Sequence, residues 1–194
     1  SSHHENGYSY SSMYSYDWDE DGIIDETSTS TSSTTWNEDG SWVETSESSY
    51  DWNDDGFADE STSHVMTYDA NGNLVSDAYS SSYDWDGDGI IDESSTGTNT
   101  YEYTEQTVSG EIWDWETDEY YEEEWTEYFM TSMTSVSESD YDGDGVTDQS
   151  TTETNIYEYN EWGYVTAESY SASYDYDGDG VADDYWTDTY SYGY

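Results

Sequence analysis

Residues 8–16 read YSYSSMYSY, with Tyr at 8, 10, 14 and 16 and Ser or Met between them. Alternation with a period of two puts the rings on one side of an extended chain and predicts a β-strand covered on one face. The same texture recurs along the chain in runs of about ten residues, rich in Tyr, Trp, Thr, Val and Ser and free of Pro. One Leu and no Lys leave little from which to build a helix. Two kinds of Gly-containing turn break the runs. The first kind reads WNEDGSWVE (36–44), YDANGNLVS (68–76) and YNEWGYVTAE (159–168), each a Gly turn between strand-like flanks, a hairpin signature. TVSGE (107–111) predicts the equivalent turn of the third unit.

The second kind is acidic and occurs five times: YDWDEDGIIDE (16–26), YDWNDDGFADE (50–60), YDWDGDGIIDE (83–93), SDYDGDGVTDQ (139–149) and YDYDGDGVADD (174–184). The first Asp of each is separated from the next by 34, 33, 56 and 35 residues. The repeat predicts an all-β chain, an antiparallel meander of about 10–12 strands with acidic loops along one edge and Gly turns along the other. It reads as a single repeat domain, 1–194, with units near 17–50, 51–83, 84–139, 140–174 and 175–194. The third unit is longer because of an insertion near 111–130, whose segment EIWDWETDEYYEEEWTEY (111–128) carries nine carboxylates. An extra hairpin turning near Glu116–Glu119 is the favoured reading. A short helix with Tyr121, Trp125, Tyr128 and Phe129 on one face is the alternative.

The consensus D-x-[DN]-x-D-G-x-x-D has the chemistry of a calcium loop. Ca2+ takes six to eight oxygen ligands, and carboxylates at positions 1, 3 and 5 of a tight loop can turn onto one ion. Gly at position 6 permits the bend, the carbonyl at position 7 faces the ion, and Asp at position 9 closes the shell. The candidate ligands are Asp17, Asp19, Asp21, Ile23 and Asp25 in the first loop, and Asp51, Asn53, Asp55, Phe57 and Asp59 in the second. Asp84, Asp86, Asp88, Ile90 and Asp92 form the third. Asp140, Asp142, Asp144, Val146 and Asp148 form the fourth, and Asp175, Asp177, Asp179, Val181 and Asp183 the fifth. Solvated acidic turns are common singly, but five copies at a regular period are not explained that way. Mg2+ fits less well, because it keeps its waters and demands stricter octahedral geometry.

These loops resemble the D-x-D-x-D-G-x-x-D calcium loops of thrombospondin type 3 repeats and of the FG-GAP/VCBS repeats of integrin-type and bacterial extracellular proteins. They depart from the EF-hand, which places a bidentate Glu at position 12; here that position holds Ser28, Thr62, Ser95, Thr151 and Trp186. YDANGNLVS is similar to the YD/RHS hairpin repeat of bacterial secreted proteins, and the other Gly turns match it loosely. The resemblance implies calcium-dependent, extracellular repeat proteins with loops that close β-hairpins.

Composition narrows the function. The chain has 194 residues, 49 Asp and Glu, no Lys or Arg, and a formal net charge of −49. Leu, Ile, Val and Phe make up about 9% of it, below the roughly 20% under which charged chains stay disordered. Against that stand 24 Tyr and 10 Trp, each able to bury a ring while keeping a polar handle. A polyanion without basic side chains cannot neutralise phosphates, which excludes nucleic acid and anionic membrane surfaces as partners. No run of about 20 apolar residues predicts membrane insertion. His3, His4 and His64 sit in no nucleophile motif, and His3 and His4 fall short of a tag or metal motif. With 49 carboxylates proximity is uninformative, and no apolar pocket is in prospect to tune one, so no enzyme is expected.

The absence of Cys leaves metal as the obvious cross-link, about five Ca2+ ions per chain. Five divalent ions balance ten charges, which leaves room for more. Millimolar Ca2+ outside cells could fill such loops, so a secreted or cell-surface location is expected, in keeping with a mature chain beginning at Ser1. The Tyr-rich terminal strands, 8–16 and 185–194, point to head-to-tail self-assembly and a structural filament, sheath or matrix fibre. A monomeric adhesion or carbohydrate-binding module, its Trp and Tyr stacking on glycans, is the second expectation. A calcium-buffering or mineral-nucleating protein is the third. No N-x-[ST] sequon occurs, and the many Ser and Thr leave O-glycans open.

Overall fold

The computed structural model describes residues 7–193; His3, His4 and the chain start at Ser1 lie outside the described residues. The chain is all-β: β1 (Gly7–Tyr16), β2 (Glu26–Trp36), β3 (Trp42–Asp51), β4 (Glu60–Tyr68), β5 (Leu74–Tyr83), β6 (Glu93–Asp114), β7 (Glu119–Asp140), β8 (Gln149–Tyr159), β9 (Val165–Asp175) and β10 (Asp184–Ser191). They form one antiparallel sheet in sequential order, an open meander, as the repeat predicts. Every odd strand passes to the next even one through an acidic loop, and every even strand to the next odd one through a turn at the opposite end.

Three of those turns share one five-residue geometry. In each, the first residue donates its N–H to the carbonyl of the fifth: Asn37 to Ser41 (2.8 Å), Asp69 to Asn73 (2.9 Å) and Asn160 to Tyr164 (2.9 Å). Gly40, Gly72 and Gly163 take the left-handed fourth position (φ 91°, 90° and 77°), which is why these segments need Gly there. Asp69 Oδ1 accepts the N–H groups of Asn71 and Asn73 at 2.9 Å, and Asn160 Oδ1 accepts those of Trp162 and Tyr164 at 3.0 Å.

The fourth turn departs from the sequence reading. TVSGE (107–111) lies inside β6 and makes no turn. β6 and β7 instead run 22 residues each and reverse at 115–118, close to the expected Glu116–Glu119, so the hairpin forms and the short helix does not. Gly110 sits in a strand because the Trp125 ring crosses it; a Cβ there would lie 2.9 Å from that ring. β5 pairs with β6 only as far as Thr100, and β8 with β7 only as far as Ser132, so the rest of the hairpin extends past both neighbours as a two-stranded ribbon. Its root is held by Gln106 Nε2 donating to the Asn160 carbonyl at 3.0 Å and by Phe129 packing at a tilt against Tyr159.

The sheet has one layer. A compact 22.2 kDa monomer would expose roughly 9,400 Å2, whereas this chain exposes 13156 Å2. Val108 and Ala172 are the buried apolar side chains among the described residues. One row of directly opposed residues crosses all ten strands: Tyr10, Ser32, Ser46, His64, Tyr79, Gly97, Ser137, Thr151, Tyr174 and Asp184. That row fixes the two faces. Tyr8, Tyr10, Tyr14 and Tyr16 of β1 share a face with Trp186 and Tyr190 of β10. Across β2–β5 the opposite face is a lattice of hydroxyls, tied across strands by Thr29–Ser49 (2.7 Å), Ser33–Thr45 (2.7 Å), Ser61–Ser82 (2.7 Å) and Ser63–Ser80 (2.9 Å). On the aromatic face His64 pairs with Asp77.

Burial acts to raise the Asp69 carboxyl, but the hydrogen bonds from Asn73 and Asn71 prevail and hold it below the ordinary Asp range. A depressed carboxylate contributes stability that is present above about pH 4 and lost as pH falls through the folded value. Asn160 makes the same bonds in its own turn without titrating. Asp69→Asn is therefore expected to fold and to lose less Tm between pH 7 and pH 3 than the wild type, measured by circular dichroism; an unchanged loss would show that this turn does not feel the titration.

Candidate metal loops

The five loops fold alike because each first Asp organises its own backbone. Asp17, Asp51, Asp84, Asp140 and Asp175 accept the N–H of the position-6 glycine on Oδ2, at 2.8, 2.9, 2.7, 2.8 and 2.8 Å. At position 5, Asp21, Asp55, Asp88, Asp144 and Asp179 cap the position-7 N–H with Oδ1 at 2.8–2.9 Å. The last Asp reaches back across the loop. Asp25, Asp92, Asp148 and Asp183 take the position-2 N–H of Trp18, Trp85, Tyr141 and Tyr176 at 2.6, 2.7, 2.7 and 2.8 Å, and Asp59 takes that of Trp52. Position 4 is left-handed in all five loops, whether it is Glu20, Asp54, Gly87, Gly143 or Gly178.

This scaffold brings positions 1, 3 and 9 together. Asp17, Asp19 and Asp25 place one carboxylate oxygen each within 4.8 Å of the others, as do Asp84, Asp86 and Asp92, Asp140, Asp142 and Asp148, and Asp175, Asp177 and Asp183. These four triads could hold metal ions: the donors are all carboxylate oxygens, the hard set that divalent cations such as Ca2+ and Mg2+ take. The second loop brings only two carboxylates, Asp51 and Asp59, with the Asn53 amide at position 3. The position-5 carboxylates are outside the triads; Oδ1 is committed to the backbone cap, and Oδ2 makes none of these bonds. At position 7 the side chains of Ile23, Phe57, Ile90, Val146 and Val181 point to solvent.

The loops also pack on one another, which the sequence reading did not anticipate. A Cβ on Gly143 would fall on the carbonyl of Ile91 in the preceding loop, and one on Gly178 on that of Thr147. Asp84 donates its N–H to the Asp59 carbonyl at 2.8 Å, and the Trp52 and Trp85 rings lie 6.3 Å apart. Asp84 is 1% exposed, the most enclosed side chain among the described residues. The signal was in the sequence: the last three loops read DGDG, with Gly at position 4 as well as position 6. Rings stack beside the acids, Tyr16 on Trp18 (5.3 Å), the half-buried Tyr83 on Trp85 (4.9 Å) and the half-buried Tyr174 on Tyr176 (6.0 Å). No family model, no curated protein and no solved structure matches the chain.

Two expectations follow from this geometry. Gly145 has φ 83° and open space around it, so Gly145→Ala costs about 1 kcal/mol of backbone strain. Gly143→Ala adds the clash with Ile91, about 1–3 kcal/mol more; urea unfolding of the two variants at one fixed cation concentration measures the difference. The second expectation concerns the weak loop. Calorimetric titration of the cation-stripped chain with Ca2+ gives four tighter events and one weaker, and Asn53→Asp moves the weaker one into the tight class. Five equal events in the wild type would refute the assignment.

Proposed function

We propose that the protein is a structural, secreted one, a calcium-stabilised filament, sheath or matrix fibre built from head-to-tail copies. The observation that carries the reading is the single-layer sheet with both edges open. Among the described residues β1 pairs only with β2 and β10 only with β9, so each presents a free row of backbone donors and acceptors. Neither edge carries Lys or Pro to block pairing. A last strand that adds to the first strand of the next copy is a heterologous contact, which propagates. Ten strands at about 4.8 Å give a rise near 48 Å per copy, measured across the strands.

Calcium in the five loops supplies the stability that a core would supply elsewhere. An ion bound only by the folded loop converts its binding free energy into folding free energy. The extracellular location follows from the concentration needed. A second reading is a monomeric, calcium-dependent adhesion or carbohydrate-binding module. It draws support from the exposed rings of Trp18, Trp52 and Trp85 along the loop edge, which offer faces for stacking on sugars.

Electron microscopy and sedimentation of the purified chain separate the readings. In millimolar Ca2+ the filament reading expects long assemblies that disperse in EGTA. Monomers in Ca2+ that retain glycans on an array favour the module. Folded assemblies unchanged by EGTA would overturn the role of calcium.

A further inference from the structure

We propose that β10 of one copy pairs antiparallel with β1 of the next in one register, with Tyr185 opposite Asp17. The proposal rests on the filament reading and gives its contact a residue-level form. Three of the four places where one repeat meets the next inside the chain share a register, in which loop position 11 faces position 1 of the following loop. The pairs are Thr27 with Asp51, Ser94 with Asp140, and Ser150 with Asp175. The exception, Glu60 with Tyr83, follows from length: that interval is the short one, 33 residues, and it also spends a residue on an irregularity at Thr67/Tyr68. The 35-residue interval carries the same irregularity, at Glu158/Tyr159, and keeps the common register.

Tyr185 is position 11 of the fifth loop and Asp17 is position 1 of the first. Applying the common register to the free edges therefore makes the junction between copies equivalent to a junction between repeats. Two independent features agree with it. Acidic loops join odd to even strands, and ten is an even number, so the next copy's first loop falls on the same end of the sheet as the fifth. The register also puts Trp186 opposite Tyr16, and the unbroken row across the sheet places those two on one face already. An odd shift would set the aromatic residues of one copy against the hydroxyl face of the next. At each junction in this register the row of opposed residues moves two positions nearer the loop, so the first loop of the next copy keeps the offset to the fifth that the fifth keeps to the fourth.

The test uses the 194-residue chain, which has no Cys of its own. Ser15 and Thr187 are both exposed and oppose each other in this register, at the 4.5–5.5 Å separation of Cα atoms that a disulfide spans. Ser15→Cys combined with Thr187→Cys, oxidised in Ca2+, is expected to give a covalent ladder that survives EGTA and denaturant and collapses on reduction. Ser15→Cys with Thr189→Cys, and Met13→Cys with Thr187→Cys, shift the register by two in either direction and are expected to stay monomeric on denaturing gels. A ladder from a shifted pair, or filaments that form with no ladder from the matched pair, overturns the register while leaving the filament standing. Wild-type chain that stays monomeric in Ca2+ by microscopy overturns both.

Discussion

Carboxylates within 4.8 Å of one another are the constraint on which this structure depends. Two like charges at about 5 Å repel by roughly 3 kcal/mol at an effective dielectric near 20, and each triad holds three such pairs. Among the described residues no basic group offsets this locally, since Lys and Arg are absent and His64 is engaged with Asp77 at mid-sheet. The backbone takes part of the load: N–H groups at positions 2, 6 and 7 donate to the acids at positions 9, 1 and 5. Those bonds shape the loop and orient the charges, but they cannot cancel them. A cation held by each triad would offset the repulsion, and the loops recur at the one end of the sheet where they can stack.

The second constraint is the missing core. A single sheet with two half-exposed faces gains little from apolar burial, and the residues that would supply it number only two. Order has to come from elsewhere: a continuous backbone ladder, Asx-capped turns at one end, ion loops at the other, and rings or hydroxyls that pair across strands. Tyr170 and Tyr174 illustrate the substitute for a core. Both phenols donate to Glu153, at 3.1 and 3.4 Å, and Ala172 between them is covered although no second layer exists. Such a sheet is stable in proportion to its length, which is the same property that favours adding copies at its edges.

Much of this was legible because the repeat is written in backbone chemistry. Asp-x-Asp-x-Asp-Gly and Asn-Gly turns are local codes, so the order of strands, the two ends of the sheet and the members of the triads could be read from spacing alone. What failed was non-local. Gly110 reads as a turn because the ring that justifies it, Trp125, arrives 15 residues later on the partner strand. The position-5 aspartates also cap the position-7 N–H groups, a backbone role that spacing alone does not reveal. The first glycine of DGDG, at position 4, looks redundant in one loop, and at Gly143 and Gly178 it makes sense only against the carbonyl of the loop before it.

Those glycines carry the last step of the argument. In the common register, position 4 of each loop meets position 8 of its predecessor, and Gly143 and Gly178 make close approach possible. Glu20 holds position 4 of the first loop and Asp54 that of the second, both left-handed at some conformational cost to a residue with a Cβ. The later loops are therefore built for tight stacking, while the first two present a carboxylate where a glycine would nest. At the proposed junction the incoming face is that of Glu20. A looser contact with an added carboxylate at the point where copies meet makes assembly the step most sensitive to cation concentration. In the proposed filament, folding set by the glycine-stacked loops within the chain would come first, and polymerisation would follow at higher Ca2+.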